Sequence, residues 1–434
     1  MNKVALLLGF PLLAVLLAGC PLIEPPVSNT CPSKGSLSIQ SIDSTWTVTS
    51  APSGLGDFTP PHVPGELIVY TEGPEVLATA TGATLKPLFR YWQSPWYVAK
   101  VAKGQEQSAA RTLLNAGARY VQPNYLYYPL RTPNDPEWGN QQTHFADLLH
   151  LPTAWERTTG SAALRLAVID TGYMPHPDLL PRLTCPSGQK LDVADQDTDP
   201  RDPGANDGSS HGTAVAGVLG AVTNNARGIA GVTWAGPILP LKVFPDGTQD
   251  ASTTDIATAV ELASRLGARV MNLSLGGPSS DSALSQALAQ ARNNGAVLVA
   301  AAGNDGGSIL FPASDPATIA VGAVENSKQR ASFSNHGPEL DLVAPGVDVY
   351  SFFDERSYGV WSGTSIATPF VSGVAALYMS AYRAAYGDWP SPDQVYQCLT
   401  ATAEDLGPAG KDDDYGFGLV RPDRVMSDTS SCFP

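Results

Sequence analysis

Three residues in this sequence have the chemistry of a nucleophile, a proton acceptor and an orienting carboxylate. Ser365 lies in the stretch Ser362–Pro369, His211 opens a Gly-Thr-Ala stretch, and Asp170 is followed by Thr-Gly. A serine hydroxyl is a weak nucleophile, so it needs a neutral histidine to take its proton and a carboxylate to orient that histidine. Together the three residues could carry out nucleophilic acyl transfer.

The flanking sequence predicts the elements that position these side chains. Ser365 and His211 each precede a run of small and apolar residues, which indicates two buried helices, and Pro369 is expected in the first turn of its helix. Helix N-termini favour developing negative charge. Asp170 ends the apolar run 166–169, which predicts a buried parallel strand with the carboxylate at its C-terminal end.

These three blocks, in the order Asp, His, Ser, resemble the subtilisin-like serine proteases (subtilases), most closely the thermitase-like branch. The resemblance covers residues 132–425 and implies an endopeptidase acting on proteins or peptides. It also implies an α/β fold, a subtilisin-like parallel sheet with helices on both faces. A catalytically silent binding protein on the same fold is the alternative, although every chemical role has a competent residue.

Alternating strand and helix patterns support the same fold class. Predicted strands cover 238–242, 269–274, 296–302 and 318–324, and predicted helices cover 256–266 and 282–294. In such sheets ligands bind at the carboxyl ends of the strands. Asp170, Leu275 and Asn304 all fall at or just after a strand end.

The resemblance assigns further residues to the substrate site. Asn304 would stabilise the oxyanion together with the backbone N–H of Ser365. A strand that pairs with the substrate backbone, and the wall of the first side-chain pocket, would be formed by Ser274, Leu275, Gly276, Ala301, Ala302 and Gly303. Small residues in that wall indicate an open apolar pocket. The segment 304–312 is shorter than in well-known relatives, which leaves the preferred side chain open.

Two groups of oxygen-bearing residues resemble calcium sites of the thermitase-like branch. The first comprises Asp135, Asp178 and Asn225 with the carbonyls of Val222, Arg227 and Ile229. The second is a loop containing Asp192, Asp195, Asp197 and Asp199. Arg201 stands where such a loop uses an oxygen-bearing side chain, so a solvated acidic loop is the alternative for the second group.

The N-terminal residues have the pattern of an export signal. Lys3 precedes the apolar run Val4–Leu17, and Leu-Ala-Gly-Cys ending at Cys20 resembles a bacterial lipobox. This resemblance implies a lipoprotein signal peptide at 1–19, lipidation of Cys20 and a membrane-anchored precursor. An ordinary signal peptide is the alternative. Residues 20–61, rich in Ser, Thr, Pro and Gly, are interpreted as a tether.

Residues 62–131 have strand and helix patterns of a small separate α/β domain. Their size and the segment Val121–Asn124 resemble subtilase propeptides. The resemblance implies an intramolecular chaperone that first inhibits the enzyme, and an accessory binding domain is the alternative. Residues 426–434 are interpreted as a C-terminal tail.

Composition limits the partners and the cysteine chemistry. A net charge of −15 and a pI near 4.7 argue against nucleic acid as a partner. Apart from Cys20, four cysteines remain in an exported chain, which indicates two disulfides with three possible pairings. The pairing of Cys398 with Cys432 is favoured because it would link the C-terminal tail to the last predicted helix. Cys31 with Cys185 would span the propeptide cleavage point.

Overall fold

The computed structural model describes residues 52–58, 60, 62–89, 94–126 and 131–433. The predicted signal peptide, Cys20, Cys31 and most of the tether lie outside the described residues. Two hydrophobic cores are present, a small one within residues 55–121 and a large one that begins at Trp138.

The small core lies beneath a five-stranded sheet. In chain order its elements are β1 (Gly54–Leu55), β2 (His62–Tyr70), α1 (Pro74–Thr81), β3 (Leu85–Pro87), β4 (Trp96–Lys100), α2 (Glu106–Asn115) and β5 (Tyr120–Tyr125). The strand order is β1-β5-β2-β4-β3, and every pairing is antiparallel except β1 with β5. From β2 to β5 this is the βαββαβ pattern. The sheet starts at Gly54, ahead of residue 62, because β1 pairs with Tyr120 and Val121.

The large core surrounds a six-stranded parallel sheet. Its strands and helices are α3 (Thr143–Leu149), α4 (Leu151–Arg157), β6 (Arg165–Asp170), α5 (His211–Gly220), β7 (Ile238–Lys242), α6 (Thr253–Arg265), β8 (Ala268–Leu273), α7 (Ser282–Asn293), β9 (Val297–Ala301), β10 (Thr318–Val324), β11 (Leu342–Pro345), β12 (Val349–Phe352), β13 (Tyr358–Trp361), α8 (Thr364–Tyr386), α9 (Pro392–Ala401) and α10 (Pro422–Ser427). A π-helical turn (Trp138–Gln142) and a 3₁₀ turn (Leu180–Arg182) complete the elements.

The order of the large sheet is β11-β10-β9-β8-β6-β7, so the chain adds β7 on one side of β6 and β8 on the other. Helices α5 and α8 pack together, as do α6 and α7. Parallel neighbours need crossover helices, which cover both faces of the sheet. The predicted architecture, a parallel sheet with helices on both faces, is confirmed. The carboxyl ends of β6, β8 and β9 lie beside the point where the strand order reverses, where such sheets bind ligands.

The C-terminal residues pack into the large core. Cys398 and Cys432 form a disulfide, which confirms the favoured pairing. Tyr378 OH donates to the backbone oxygen of Cys432 at 2.8 Å, and Phe433 is buried. Residues 426–433 are therefore part of the domain and not a loose tail. Among the residues that the structure describes, no helix has the length and apolar character needed to cross a membrane.

Candidate active site

The structure brings Asp170, His211 and Ser365 into one hydrogen-bonded line. His211 Nδ1 lies 2.7 Å from Asp170 Oδ1, and His211 Nε2 lies 3.0 Å from Ser365 Oγ. The Asp170 carboxylate is buried, whereas one third (33%) of the His211 side chain is exposed. A fixed carboxylate, an imidazole and an accessible hydroxyl in this order can activate a serine nucleophile.

The three side chains meet because each lies at one end of a strand or helix, and these ends come together although they are far apart in the sequence. Asp170 ends β6, His211 begins α5, and Ser365 is the second residue of α8. Gly212 allows the start of α5 to lie close to the segment after β6, since a Cβ there would lie 2.3 Å from the carbonyl oxygen of Gly172. The side chain of Ser210 caps α5 by accepting from the N–H of Thr213.

A second carboxylate, Asp202, binds the residues next to Asp170 and His211. Its Oδ2 accepts hydrogen bonds from Thr171 Oγ1 at 2.5 Å and Ser210 Oγ at 2.7 Å. These two residues directly follow Asp170 and directly precede His211. Burial alone would lower the pKa of His211, but the charge and hydrogen bond of Asp170 and the charge of Asp202 raise it above its ordinary value.

The amide of Asn304 is oriented by the start of α8. Asn304 Oδ1 accepts from the N–H of Thr364 at 2.8 Å and from its hydroxyl at 3.0 Å. The Nδ2 group is therefore the half of the amide left to donate to a ligand. A Cβ on Gly363 would lie 3.1 Å from Ser365 Oγ and 3.4 Å from Asn304 Nδ2, so only glycine leaves this space open.

Pro369 lies in the second turn of α8, not in the first turn as expected. Because proline has no N–H, it cannot donate the usual helix hydrogen bond to the carbonyl of Ser365. Ser274 Oγ donates to that carbonyl instead, at 2.7 Å. Asn272 Nδ2 in turn donates to Ser274 Oγ at 2.8 Å. The predicted substrate residue Ser274 thus also secures the nucleophile's backbone.

The other predicted substrate residues form two facing walls. Leu275 and Gly276 follow β8, while Ala302 and Gly303 follow β9, which pairs in parallel with β8. A groove of about 670 Å³ runs along the outer side of residues 274–279, past His211 and the segment 244–251. An extended peptide has room to lie along this groove.

Two buried carboxylates form the first predicted calcium group, which we name the paired-aspartate cluster (Asp135 and Asp178 with Asn225). Asp135 and Asp178 are 3% and 0% exposed. Asn225 Nδ2 donates to Asp178 Oδ1 at 2.7 Å, and the N–H of Asn225 donates to Asp135. Burial is the main cause that raises the pKa of Asp178 to about 6.

Among the described residues no salt bridge reaches either carboxylate of this cluster. A buried carboxylate is costly unless it is paired and hydrogen-bonded or becomes neutral. The Asn225 amide oxygen, which here accepts from the N–H of Arg227 at 2.9 Å, and the predicted carbonyls of Val222, Arg227 and Ile229 would be hard oxygen ligands of the kind that calcium takes.

The second predicted calcium group contains its own cation. Asp192, Asp195 and Asp246 place carboxylate oxygens within 4.8 Å of one another, a spacing that could hold a metal ion. Lys242 Nζ lies among them, 3.3 Å from Asp192, 3.0 Å from Asp195 and 3.0 Å from Asp246. The Lys242 side chain is 1% exposed. We name these four residues the lysine cluster.

The remaining predicted ligands of this loop lie outside the lysine cluster. Asp199 accepts two hydrogen bonds from Arg201 Nε at 2.8 and 2.9 Å. Asp197 Oδ1 accepts from the N–H of Asp199 at 2.7 Å. The loop therefore already pairs Asp192, Asp195 and Asp199 with basic side chains of the chain itself.

Sequence reasoning did not identify Asp202, Thr364 or Lys242. Asp202 lies nine residues before His211, outside the His-Gly-Thr block, so spacing gave no signal. Thr364 stands in the serine motif and carries a hydroxyl, which could have been considered. Lys242 ends a predicted strand, and a lysine in an otherwise apolar strand was an available signal of a buried ion pair.

Comparisons with known proteins agree with this geometry. The model of the Subtilase family matches residues 161–418 of the 434 residues. "Thermophilic serine proteinase" of Bacillus sp. (strain AK1) is 38% identical over 369 residues, which cover 82% of this chain and 86% of the relative. "Thermitase" of Thermoactinomyces vulgaris is 39% identical over 256 residues, covering 58% and 88%. A solved protease structure from Pseudoalteromonas arctica PAMC 21717 superposes with a TM-score of 0.60 at 35% identity, covering 68% of this chain and 99% of that chain.

Proposed function

The chain belongs to the subtilase family and is a subtilisin-type serine endopeptidase, and on that premise we propose that it cleaves peptide bonds through an acyl-enzyme formed on Ser365. The observation that carries this proposal is the line of hydrogen bonds from Asp170 through His211 to Ser365. The alternative of a silent binding protein has no support in this geometry.

Each residue of the site has a defined part in the proposed reaction. Ser365 Oγ attacks the peptide carbonyl while His211 Nε2 takes its proton, and His211 then protonates the leaving amine. Asp170 holds the imidazole tautomer and stabilises its charged form. Asn304 Nδ2 and the N–H of Ser365 face the developing oxyanion. Water then attacks the acyl-enzyme, with His211 again acting as the base.

The test replaces the nucleophile in the full chain. Ser365→Ala should lower casein hydrolysis by several orders of magnitude, as loss of a triad member does in subtilisin. Ser362→Ala, three residues earlier, is the matched control and should keep activity. A fluorophosphonate probe should label the wild type and not Ser365→Ala. Near-wild-type hydrolysis by purified Ser365→Ala would refute the mechanism.

Calcium is proposed as a structural cofactor at the paired-aspartate cluster. The burial of Asp135 and Asp178 without a salt bridge to a described residue supports this assignment, since a divalent cation would balance their charge. The ion would act on stability, because no atom of the cluster contacts the triad among the described residues. Titration calorimetry of calcium-free protein with calcium tests the proposal, and absence of binding would contradict it.

The domain formed by β1 to β5 is proposed to be a propeptide that inhibits the enzyme until it is cleaved. Its separate core and its βαββαβ pattern support an independently folding unit. Residues 52–126 added as a separate polypeptide should inhibit the mature protease in a dose-dependent way. Lack of inhibition would favour an accessory binding domain.

Export with a lipid anchor at Cys20 is proposed from the lipobox resemblance of residues 17–20. Cleavage near residues 127–135 would release the protease from the anchor, unless a disulfide between Cys31 and Cys185 keeps it tethered. Cys185 is exposed and has no disulfide to a described cysteine. Membrane fractionation with and without reductant, with Cys20→Ser as a control, distinguishes anchored, tethered and released forms.

A further inference from the structure

The short segment between Asn304 and Pro312 turns back toward the substrate walls. The N–H of Leu310 donates to the carbonyl of Ala302 at 2.9 Å. Phe311 and Gly277 exchange two backbone hydrogen bonds, of 2.7 and 3.0 Å. The segment is thus joined to both walls, and Leu310 is fixed between them.

The Leu310 side chain occupies space beside both wall glycines. A Cβ on Gly303 would lie 2.8 Å from Leu310 Cγ, and a Cβ on Gly276 would lie 3.1 Å from Leu310 Cβ and 3.3 Å from Cδ1. Asn335 is nearer still to the Gly303 position, but it is not among the three nearest contacts of the Gly276 position, so Leu310 is the side chain that lies close to both glycines. Leu310 is half-buried.

Both walls begin at contacts with the nucleophile's helix. Ser274 Oγ donates to the carbonyl of Ser365, and the N–H of Gly303 donates to Thr364 Oγ1 at 3.1 Å. A peptide carbonyl held against Ser365 is therefore close to the start of both walls. The side chain on the acyl side of the scissile bond would enter the gap and meet Leu310.

We propose that Leu310 closes the gap between the two walls, which then serves as a shallow side-chain pocket. Leu310 would limit the residue on the acyl side of the cleaved bond to small side chains such as alanine. This inference rests on the proposed function, because it concerns the substrate of that site. It replaces the expectation of an open pocket, which followed from the small residues of the walls alone. Close packing leaves a large aromatic ring no room unless Leu310 moves, and such overlap is costly.

The experiment uses protein expressed as the full chain and peptide p-nitroanilides that differ only in the last residue: alanine, leucine or phenylalanine. The wild type should cleave the alanine substrate with a kcat/KM about tenfold or more above that for phenylalanine. Leu310→Ala should raise the ratio of phenylalanine to alanine cleavage by about tenfold or more. Leu310→Val should give a smaller rise, and it serves if Leu310→Ala does not fold.

Leu180→Ala, which truncates an exposed leucine outside the site, is the matched control and should leave the ratio unchanged. A wild type that prefers phenylalanine, or a ratio that stays constant in both Leu310 variants, would overturn the proposal. Fluorophosphonate labelling of every variant separates this failure from that of the proposed function. Labelled enzyme without the predicted preference contradicts Leu310 alone, whereas unlabelled and inactive wild type contradicts the proposed function.

Discussion

The paired-aspartate cluster and the lysine cluster both gather carboxylates in the large domain, but they differ in what balances the charge. In the paired-aspartate cluster, Asp135 and Asp178 are buried and accept hydrogen bonds from N–H groups, with no salt bridge to a described residue. In the lysine cluster, a buried ammonium lies 3.0 to 3.3 Å from three carboxylates. The first therefore has no ion-paired cation among the described residues, whereas the second contains one.

The two clusters also differ in their relation to the triad. The loop that begins at Asp192 continues to Asp202, whose carboxylate holds Thr171 and Ser210 beside the catalytic residues. No described residue of the paired-aspartate cluster makes such a contact. Changes in the first cluster should thus alter stability alone, while changes along the second loop can also reach catalysis.

The largest effect is expected from Lys242→Met. Removing the ammonium leaves the buried Asp192 carboxylate uncompensated, and loss of one member of a buried ion pair costs about 3 kcal/mol or more. The melting temperature without calcium should fall by roughly 5–10 °C, measured by calorimetry. Calcium should then stabilise the variant by binding the carboxylates that no longer contact an ammonium group. Lys242→Arg, which keeps the positive charge, should behave as wild type. An unchanged melting temperature would contradict this account.

The next effect concerns calcium and the paired-aspartate cluster. A ligand that binds only the folded state adds about 2.7 kcal/mol of stability at one hundred times its Kd. Chelation should therefore lower the wild-type melting temperature, and Asp178→Asn should abolish most of that difference. Asp197→Asn, which changes an aspartate of the other loop, should keep the full calcium response. Equal loss in both variants would mean that the clusters do not differ as the structure indicates.

Much of the fold followed from local sequence because its strands are short apolar runs with polar boundaries. The predicted strand 318–324 coincides with β10, and the run ending at Asp170 coincides with β6 to within one residue. The two-residue strand β1 could not be predicted, since it exists only through its pairing with β5. The position of Pro369 inside α8 also depends on a distant partner, Ser274, which satisfies the freed carbonyl.

The candidate site was predictable where a motif coincides with an element end, as for Asp170, His211 and Ser365. It was not predictable where function depends on contacts between distant segments. Lys242 meets Asp192 across 50 positions of sequence (242 − 192) because β7 runs beside that loop. Leu310 similarly reaches the pocket only because its segment pairs back onto Gly277.

A smaller effect is expected at the carboxylate that links the second loop to the triad. Removing the negative charge of Asp202 in Asp202→Asn should lower the pKa of His211, which Asp170 and Asp202 together raise. Because His211 must be neutral to act as a base, the acidic limb of the kcat/KM profile should move to lower pH. Asp207→Asn and Asp178→Asn with calcium should leave the limb in place. A limb that stays constant in Asp202→Asn would remove the link between loop and triad.

The smallest effect is expected from Arg201→Gln. Arg201 and Asp199 are 61% and 49% exposed, so their salt bridge contributes little. The substitution supplies an amide oxygen beside Asp199, but Lys242 still balances Asp192 and Asp195. We expect a melting temperature within about 1 °C of wild type, with no added calcium response. In the Lys242→Met background the same change should strengthen the calcium response, because one more oxygen ligand then becomes available. If Arg201→Gln alone created a new calcium response, Arg201 and not Lys242 would be the residue that keeps this loop independent of calcium.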